Sequence, residues 1–343
     1  MAEILDGDDH DRGVSCPSFS HCQSGFCYSE GLRDHPLFRA YLALVAVCFF
    51  WGTTYLGIRM ALESFPPLLL VSLRFLLSGA ILLAVAILAG ARLPKGWDLM
   101  ISSLTGLLIL GVGNTCLTYA ELWIPSGLAA LIITVSPFWM VGIEALMPGG
   151  ERLHAPGIAG MLVGSVGAAL LVSSDLSGRS IGGSTLKGFV VLQLGCAGWS
   201  FGSIYQRRQI TPAHPVVTGA IQQLAAGLAF LPAALLAGEH PVVWSFRGVA
   251  AILYLVVFGS IVGYSAYVYA LSHLTVAVVS IYSYINPVVA VFLGWLFYRE
   301  PFGLREALAM AIIFAGVAVV KTFSPKKPLA HARGSEAPSE LRP

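Results

Sequence analysis

The sequence predicts an all-α integral membrane protein in which ten transmembrane helices form two inverted five-helix repeats. First, 56% of the 343 residues are hydrophobic and only 11% are charged, whereas soluble domains carry about 25% charged residues. Second, ten apolar segments have the length, about 20 residues, that a helix needs to cross a bilayer. Third, the second half of the chain repeats the first. The segments lack the alternation of barrel strands, so we expect helices.

The ten apolar segments follow one another with short connections. They cover residues 38–58, 67–90, 99–119, 124–146, 155–173, 187–206, 216–237, 249–271, 275–298 and 302–321. Five segments make one repeat, and because five is an odd number, the second repeat enters the membrane in the opposite orientation. The predicted organisation is a polar and disordered tail over 1–37, a first repeat over 38–173, a Gly/Ser-rich connecting loop over 174–186, a second repeat over 187–321 and a polar tail over 322–343.

The duplication is visible in the residues themselves. The stretch YAELWIPSGLAALIITVSPFWMVGIEAL lies on YALSHLTVAVVSIYSYINPVVAVFLGWL after a shift of about 150 positions, and earlier parts of the halves are related by a shift of about 148. Residues that coincide are Tyr119 with Tyr269, Pro137 with Pro287, Trp51 with Trp199, and Gly79 with Gly227. Inverted repeats of apolar segments are a known ground plan of secondary transporters.

Several other classes of protein and site are disfavoured by the sequence. The net charge of +2 gives no indication of nucleic-acid binding. The spacing of Cys16, Cys22 and Cys27 matches no standard zinc pattern, so neither a metal site nor a cofactor is predicted. The first 36 residues contain no apolar core of the kind found in a signal peptide. HExxH and P-loop motifs are absent, which argues against a membrane-embedded enzyme and an ATP-driven pump.

Four segments resemble a known family. The segments are FFWGTTYLGIRMAL in the first span, VSLRFLLSGAILL in the second, the stretch 119–146 given above, and YALSHLTVAVVSIYSYINPVVAVFLGWLFYREPFGLREALAMAIIFAGVAVV in the second half. They are similar to the drug/metabolite transporter superfamily, specifically to ten-span proteins built from two EamA-type repeats. The resemblance covers residues 38–321. It implies an inner-membrane exporter or exchanger of small metabolites, such as amino-acid-like or drug-like solutes, but it does not indicate which one.

Charged and amide side chains inside the apolar segments are candidates for a transport site. Arg74 lies roughly 10 Å below the membrane edge, where a cation costs a few kcal/mol. It could contact an anionic or zwitterionic solute, or it could snorkel to the interface or pin neighbouring helices. Glu121 could pair with Arg74, act as a proton-coupling carboxylate or be a solvated loop acid. Glu144 should lie at the opposite membrane edge, too far away to meet Arg74. Gln222 occupies the repeat position of Arg74.

Matched prolines point to the middle of the bundle. Pro137 and Pro287 occupy corresponding positions, and each follows a small polar residue, Ser136 or Asn286. Paired helix breaks indicate a midplane site in transporters, although kinks can also merely shape a bundle. With aromatic and polar residues at similar depth, the candidate cavity residues are Trp51, Arg74, Asn114, Tyr119, Glu121, Pro137, Trp199, Gln222, Tyr264, Asn286 and Pro287.

Two further patterns are interpreted as structural. Glu151 and Glu300 each precede the last span of a repeat, where an acid near a helix start and a nearby proline are ordinary N-terminal signals. The small residues of GIAGMLVGSVGAALL predict close helix packing within the bundle, with homodimerisation as the alternative. These small residues are Gly157, Gly160, Gly164 and Gly167.

The sequence therefore favours a secondary transporter that works by alternating access around a central cavity between the two repeats. A flippase of a lipid-linked intermediate, which would open sideways to lipid, is the alternative, and a membrane-embedded enzyme is a weaker one. The expected partners are a small-molecule solute, the lipid bilayer, protons as a coupling ion and a second copy of the chain.

Cations in the loops predict the orientation in the inner (plasma) membrane, since cytoplasmic loops carry an excess of Lys and Arg. With both termini in the cytoplasm, the cytoplasmic side holds Arg12, Arg33, Arg39, Arg92, Lys95, Arg152, Arg207, Arg208, Lys321, Lys326, Lys327, Arg333 and Arg342. The outer side then holds Arg59, Arg179, Lys187, Arg247, Arg299 and Arg305.

This orientation is testable with reporter fusions. A reporter placed after residue 321 should be cytoplasmic, and one placed in the 174–186 loop should lie outside, because an even number of spans returns the chain to its starting side. An outside C-terminal reporter would contradict both the orientation and the number of spans.

Overall fold

The computed structural model describes residues 36–149, 155–176, 184–209, 214–274, 276–279 and 281–323. All the regular secondary structure in these ranges is helical. The three cysteines of the N-terminal tail, Glu151 and the centre of the 174–186 loop lie outside the described residues, as do both predicted tails for almost all of their length.

Every predicted apolar segment corresponds to one helix or to consecutive helical pieces. The first half comprises α1 (Pro36–Ala61), α2 (Pro67–Leu88), α3 (Trp97–Gly106), the π-helix π1 (Leu107–Val112), α4 (Gly113–Ala120), α5 (Ser126–Ile133), α6 (Ser136–Leu146) and α7 (Ala155–Leu176). The second half comprises α8 (Ser184–Arg208), α9 (Pro215–Leu236), α10 (Phe246–Tyr254), the π-helix π2 (Leu255–Val262), α11 (Gly263–His273), α12 (Val276–Val279), α13 (Tyr282–Tyr298) and α14 (Leu304–Phe323).

The helices have the character of membrane spans. Within the described residues, six helical stretches are long and apolar enough to cross a bilayer: Leu37–Ala61, Pro67–Leu88, Trp97–Ala120, Ser126–Leu146, Pro215–Leu236 and Phe246–Ala270. Two shorter apolar helices cover Ala155–Leu171 and Tyr282–Tyr298. The remaining two of the ten predicted positions are occupied by α8 and α14, with 25 and 20 residues. The predicted all-helical membrane fold is confirmed.

The two halves share irregularities in the same segments. The third and eighth segments each contain a central π-helix, a rare feature that is frequent at functional sites. The fourth and ninth segments are each split in two. Pro137 lies in the first turn of α6, where the missing N–H of proline costs nothing. Pro287, in contrast, lies inside α13, well after the split, so the expectation that both prolines occupy equivalent breaks is wrong for Pro287.

The packing of the helices is reciprocal between the halves. α2 lies along α9, and α7 lies along α14. The first helix of the first half, α1, packs against α11 and α13 of the second half. Its repeat counterpart, α8, packs in the same way against α4 and α6 of the first half. Exchanging the halves therefore maps one set of contacts onto the other, as an inverted repeat requires.

Two matched glycines bring the backbones of α2 and α9 together. A Cβ atom added at Gly79 would lie 2.8 Å from Leu224 N, and one added at Gly227 would lie 2.8 Å from Leu76 N. The shift of 148 that relates Gly79 to Gly227 also relates Leu76 to Leu224. Small residues permit such close crossings in lipid, where van der Waals contact and hydrogen bonds replace the hydrophobic effect.

The glycine pattern of α7 serves packing inside the chain. A Cβ atom at Gly160 would lie 2.7 Å from Gly316 O, and one at Gly167 would lie 2.8 Å from Ile313 Cγ1, both on α14. Gly164 lies against the Phe138 ring of α6. The prediction that these small residues serve packing within the bundle is confirmed for these three glycines. A Cβ atom added at Gly157, in contrast, would have no neighbour within 4 Å.

This difference gives a matched pair of substitutions on one helix. Gly160→Ala should destabilise the protein by about 1–3 kcal/mol, because the added methyl group must displace the backbone of α14. The control Gly157→Ala should be neutral or stabilising by up to about 1 kcal/mol, since alanine is the better helix former. Thermal midpoints in detergent compare the two, and equal midpoints would contradict the close α7–α14 contact.

Candidate functional site

Arg74 is held inside the bundle by side chains from two other segments. It lies on α2 and is 7% exposed. Its Nε donates to Ser260 Oγ of π2 at 2.9 Å, and its Nη1 donates to Asn114 Oδ1 of α4 at 3.4 Å. Both partners are neutral, and Arg74 forms no salt bridge to any residue that the structure describes. A buried cation compensated only by neutral acceptors is energetically costly, so the position calls for a functional explanation.

Trp51 of α1 reaches the same part of π2. Its indole Nε1 donates to Gly259 O at 3.1 Å. The ring centroid lies 5.1 Å from that of Tyr267 and 5.2 Å from that of Tyr282. The backbone of Gly263 fits against the indole, since a Cβ there would lie 2.6 Å from Nε1. Trp51 and Arg74 therefore meet through consecutive residues of one π-helix.

Asn286 extends this group into α13. It is 6% exposed. In the amide orientation that satisfies its surroundings, its nitrogen donates to Cys48 O at 2.9 Å and to Tyr282 O at 3.1 Å. We call the connected group the central polar cluster. Its members are Trp51, Arg74, Asn114, Ser260, Tyr282 and Asn286.

Gln222 and Tyr264 belong to a second polar group. Gln222 is 2% exposed, and its Nε2 donates to Gln206 Oε1 at 2.9 Å and to Thr105 Oγ1 at 3.2 Å. The Tyr264 hydroxyl donates to Gln222 Oε1 at 3.4 Å. Trp199, the repeat counterpart of Trp51, packs instead against an apolar group that includes Phe75. The symmetric positions therefore have different surroundings.

Tyr119 lies at the end of the bundle where α2 begins. Its hydroxyl donates to Glu239 Oε1. The other oxygen, Glu239 Oε2, accepts from Leu68 N at 3.2 Å and so caps the first turn of α2. We call this the 62–66 end, after the loop between α1 and α2. Tyr119 thus contributes to the closure of this end and has no hydrogen bond to the central polar cluster.

Glu121 is the most unusual group at the 62–66 end. It follows α4 directly and is 1% exposed, so the interpretation as a solvated loop acid is wrong. Neither carboxyl oxygen has a hydrogen-bond partner in the part of the chain that the structure describes. The expected ion pair with Arg74 is not formed, because Arg74 binds Ser260 and Asn114 instead.

The charges around Glu121 act against one another. Arg59 does not bind its carboxyl group, because Nη1 donates to the backbone oxygens of Glu121 at 2.7 Å and Ile124 at 3.2 Å. Desolvation raises the pKa of Glu121 well above its usual range; the nearby Arg59 and Arg74 lower it, and the negative charge of Glu300 raises it further. The net effect favours the neutral acid.

Glu300 is a carboxylate at the same end of the bundle, and both of its oxygens are hydrogen-bonded. Its Oε1 accepts from Ser126 N and Ser126 Oγ, and its Oε2 accepts from Gly127 N, each at 2.9 Å. These donors open α5, so Glu300 caps a helix of the other half across the 62–66 end. The role of Glu300 is structural, as predicted. The helix that it caps, however, is α5 and not α14, the helix that it precedes.

Glu144 lies at the opposite end of the bundle. Its carboxylate oxygens form salt bridges of 2.9 Å with Arg207 and with Arg208. This position agrees with the expectation that Glu144 sits at the far membrane edge and does not meet Arg74. Ser260, by contrast, was missed by the sequence reasoning, although a small polar residue within the apolar run VVFGSIVG is a detectable signal.

Comparison with known proteins identifies relatives along most of the chain. The EamA-like transporter family matches twice, over residues 38–173 and 186–322. An uncharacterized inner membrane transporter of Escherichia coli K12, YedA, is 36% identical over 311 residues, which cover 89% of this chain and 98% of YedA. Protein PecM of Dickeya dadantii is 27% identical, with 80% and 89% covered.

Two further similarities are more limited. A probable amino-acid metabolite efflux pump of E. coli K12 is 27% identical over 176 residues, 49% of this chain and 52% of the pump. A solved crystal structure, 24% identical, has a TM-score of 0.60 and covers 82% of this chain and 96% of its own; it supports the fold alone.

The environment of Glu121 predicts a pH-dependent stability. An unfolded glutamate ionises near pH 4.3, whereas the folded pKa of Glu121 is raised. The contribution is thus fully present below the unfolded pKa and is lost as the pH rises through the folded pKa. As the pH rises above the unfolded pKa, the thermal midpoint of the parent should fall more steeply than that of Glu121→Gln. The control is Glu63→Gln, which removes a partly exposed carboxyl group at the same end of the bundle. Equal slopes for the parent and Glu121→Gln would contradict a neutral buried acid.

Proposed function

The chain belongs to the EamA-like transporter family and is a membrane transporter rather than an enzyme, and on this premise we propose that it is a secondary transporter that exports or exchanges amino-acid-like solutes. The observation that carries the proposal is Arg74, a buried cation at the junction of the two halves with only neutral partners. We place the protein in the inner membrane, with both termini in the cytoplasm.

The chemistry of Arg74 favours a carboxylate on the solute. A guanidinium presents donors in a planar fork that matches a carboxylate in a bidentate arrangement. Ser260 and Asn114 accept from Nε and Nη1 and orient the group, and neither uses Nη2. Their neutral oxygens leave the positive charge available to an anionic group of a solute.

The aromatic side chains favour a second feature of the solute. Trp51, Tyr267 and Tyr282 lie within 6 Å of one another by ring centroids. Aromatic faces attract ammonium groups and also accept apolar side chains. A carboxylate together with an ammonium group and an apolar part describes an α-amino acid. The efflux pump among the relatives, whose name refers to amino-acid metabolites, is consistent with this class.

The arrangement of the helices supports alternating access. The central polar cluster draws on α1, α2 and α4 of the first half and on π2 and α13 of the second, so any motion between the halves changes its geometry. At the 62–66 end, Ser64 Oγ and Ser245 Oγ lie 2.7 Å apart, and Val243 N donates to Ser64 O at 2.9 Å. At the other end, Glu144 holds Arg207 and Arg208. We propose that the contacts of the two ends break in turn.

Ligand-induced stabilisation tests this function across whole classes of solute. The purified chain should be screened against L-amino acids, their carboxamides, purines, sugars and quaternary amines. A ligand at 100 times its Kd stabilises the folded state by about 2.7 kcal/mol. We expect L-amino acids to raise the thermal midpoint and their carboxamides, which lack the carboxylate, to fail.

The matched variants are Arg74→Gln and Arg247→Gln. Glutamine is the residue that the second half carries at the position of Arg74, so the fold should accept it, while the amino-acid effect should disappear. Arg247 lies at the 62–66 end beside Tyr298, and its replacement should leave the effect intact. Stabilisation that persists in Arg74→Gln, or that only sugars or purines produce, would contradict an amino-acid site at Arg74.

A further inference from the structure

Glu121 is placed where the two halves and several charges converge. Tyr55 and Arg59 face it from α1, and Arg74 faces it from α2. Glu300 faces it from the connection between α13 and α14. Among the ionisable groups near Glu121 in the described ranges, two are cations, one is an acid and one is a phenol.

Glu121 does not have a structural role of the kind that Glu300 has. Glu300, at the same end of the bundle, has both oxygens bonded to the start of α5. Glu121 is more deeply buried and bonds to nothing in the described residues through its carboxyl group. A buried polar group without a partner is destabilising, and such exceptions need an explanation of their own. Its repeat counterpart is Leu271, so the symmetric frame does not require an acid at this place.

Both cations that could neutralise Glu121 are engaged elsewhere. Arg59 directs its Nη1 to two backbone oxygens at the end of α4. Arg74 is oriented by Ser260 and Asn114 and forms no ion pair with Glu121. An isolated carboxylate at this burial would be strongly unfavourable, so this conformation favours the protonated acid. The acid therefore holds one proton that it can release when its surroundings change.

Building on the proposed function, we propose that Glu121 is the proton-carrying group of this transporter, and that one proton and the ammonium group of one solute molecule compete for its carboxylate. With the solute absent from Glu121, the carboxyl O–H bond is intact and the group is neutral. When the solute binds with its carboxylate on Arg74, the proton leaves to water and the ammonium group replaces it beside the carboxylate.

The charges balance in this exchange. Before binding, the site holds a neutral acid; after binding, it holds a carboxylate and an ammonium group, and one proton has gone to the solution. The solute carboxylate meets the charge of Arg74 in the second state. Arg74 and Glu121 influence one another electrostatically but are too far apart for an ion pair, which leaves each available to one end of a zwitterion. The coupled process is exchange of a proton for the solute.

Two assays on the purified full-length protein in liposomes measure transport of the solute and its coupling to protons separately. The probes are radiolabelled L-leucine and L-phenylalanine. Counterflow at equal pH on both sides measures exchange of solute alone, and its absence in the parent would refute the proposed function. Accumulation into vesicles with an acidic interior measures coupling. For one-to-one exchange, one pH unit should support an accumulation of up to about ten-fold.

The decisive variant is Glu121→Gln, which resembles the protonated acid but cannot release a proton. Because it also offers no carboxylate to the ammonium group, it should lose both counterflow and the response to the pH gradient. Glu63→Gln, at the same end of the bundle and partly exposed, should behave like the parent in both assays. Counterflow or gradient-driven accumulation by a folded Glu121→Gln protein would overturn the proposal.

Two measurements keep the test decisive if that variant does not fold. Glu121→Asp retains a carboxyl group and should retain the gradient response. The parent protein in weakly buffered solution should acidify the medium when L-leucine or L-phenylalanine binds. Counterflow by the parent without this proton release would overturn the role of Glu121 while leaving the transporter function intact.

Discussion

The close crossing of α2 and α9 is the constraint on which the arrangement of the site depends. Gly79 and Gly227 allow each backbone to touch the other helix, and the two contacts are related by the sequence repeat. Arg74 and Gln222 precede these glycines at the same offset, so the crossing fixes the depth and direction of both side chains. In lipid, where apolar surface gives helices little reason to associate, such backbone contact is a main source of affinity between them.

The frame is symmetric, whereas the chemistry placed on it is not. Under the repeat shifts, Arg74 corresponds to Gln222, Glu121 to Leu271 and Glu144 to Gly294. Gly294 is itself required, because the carboxylate of Glu300 lies where a Cβ at that position would be. A motion that exchanges the conformations of two like halves needs similar frames, but recognition of an oriented solute needs different groups on each side.

Much of the fold could be predicted from the sequence because span length and repetition are properties of the chain itself. The ten segments, the reciprocal halves and the packing role of Gly160 belong to this category. The surroundings of single side chains do not. The π-helix that brings Ser260 to Arg74 has no signal separating it from an ordinary helix, and the capping of α5 by Glu300 joins residues distant in the sequence. Likewise, hydropathy indicates that Arg74 and Glu121 are buried in similar regions, but not that they form no ion pair with one another.

The reciprocal packing has a consequence for biosynthesis. α1 leaves the ribosome first, but the helices it packs against, α11 and α13, are among the last to be made. Until π2 is made, the indole of Trp51 and the guanidinium of Arg74 lack their hydrogen-bond acceptors on Gly259 and Ser260. The first half is therefore incomplete during most of translation, because Trp51 and Arg74 obtain their acceptors on π2 only after that helix has been made. A chain truncated before π2 lacks Ser260, so Arg74 keeps only its Asn114 acceptor in the first half.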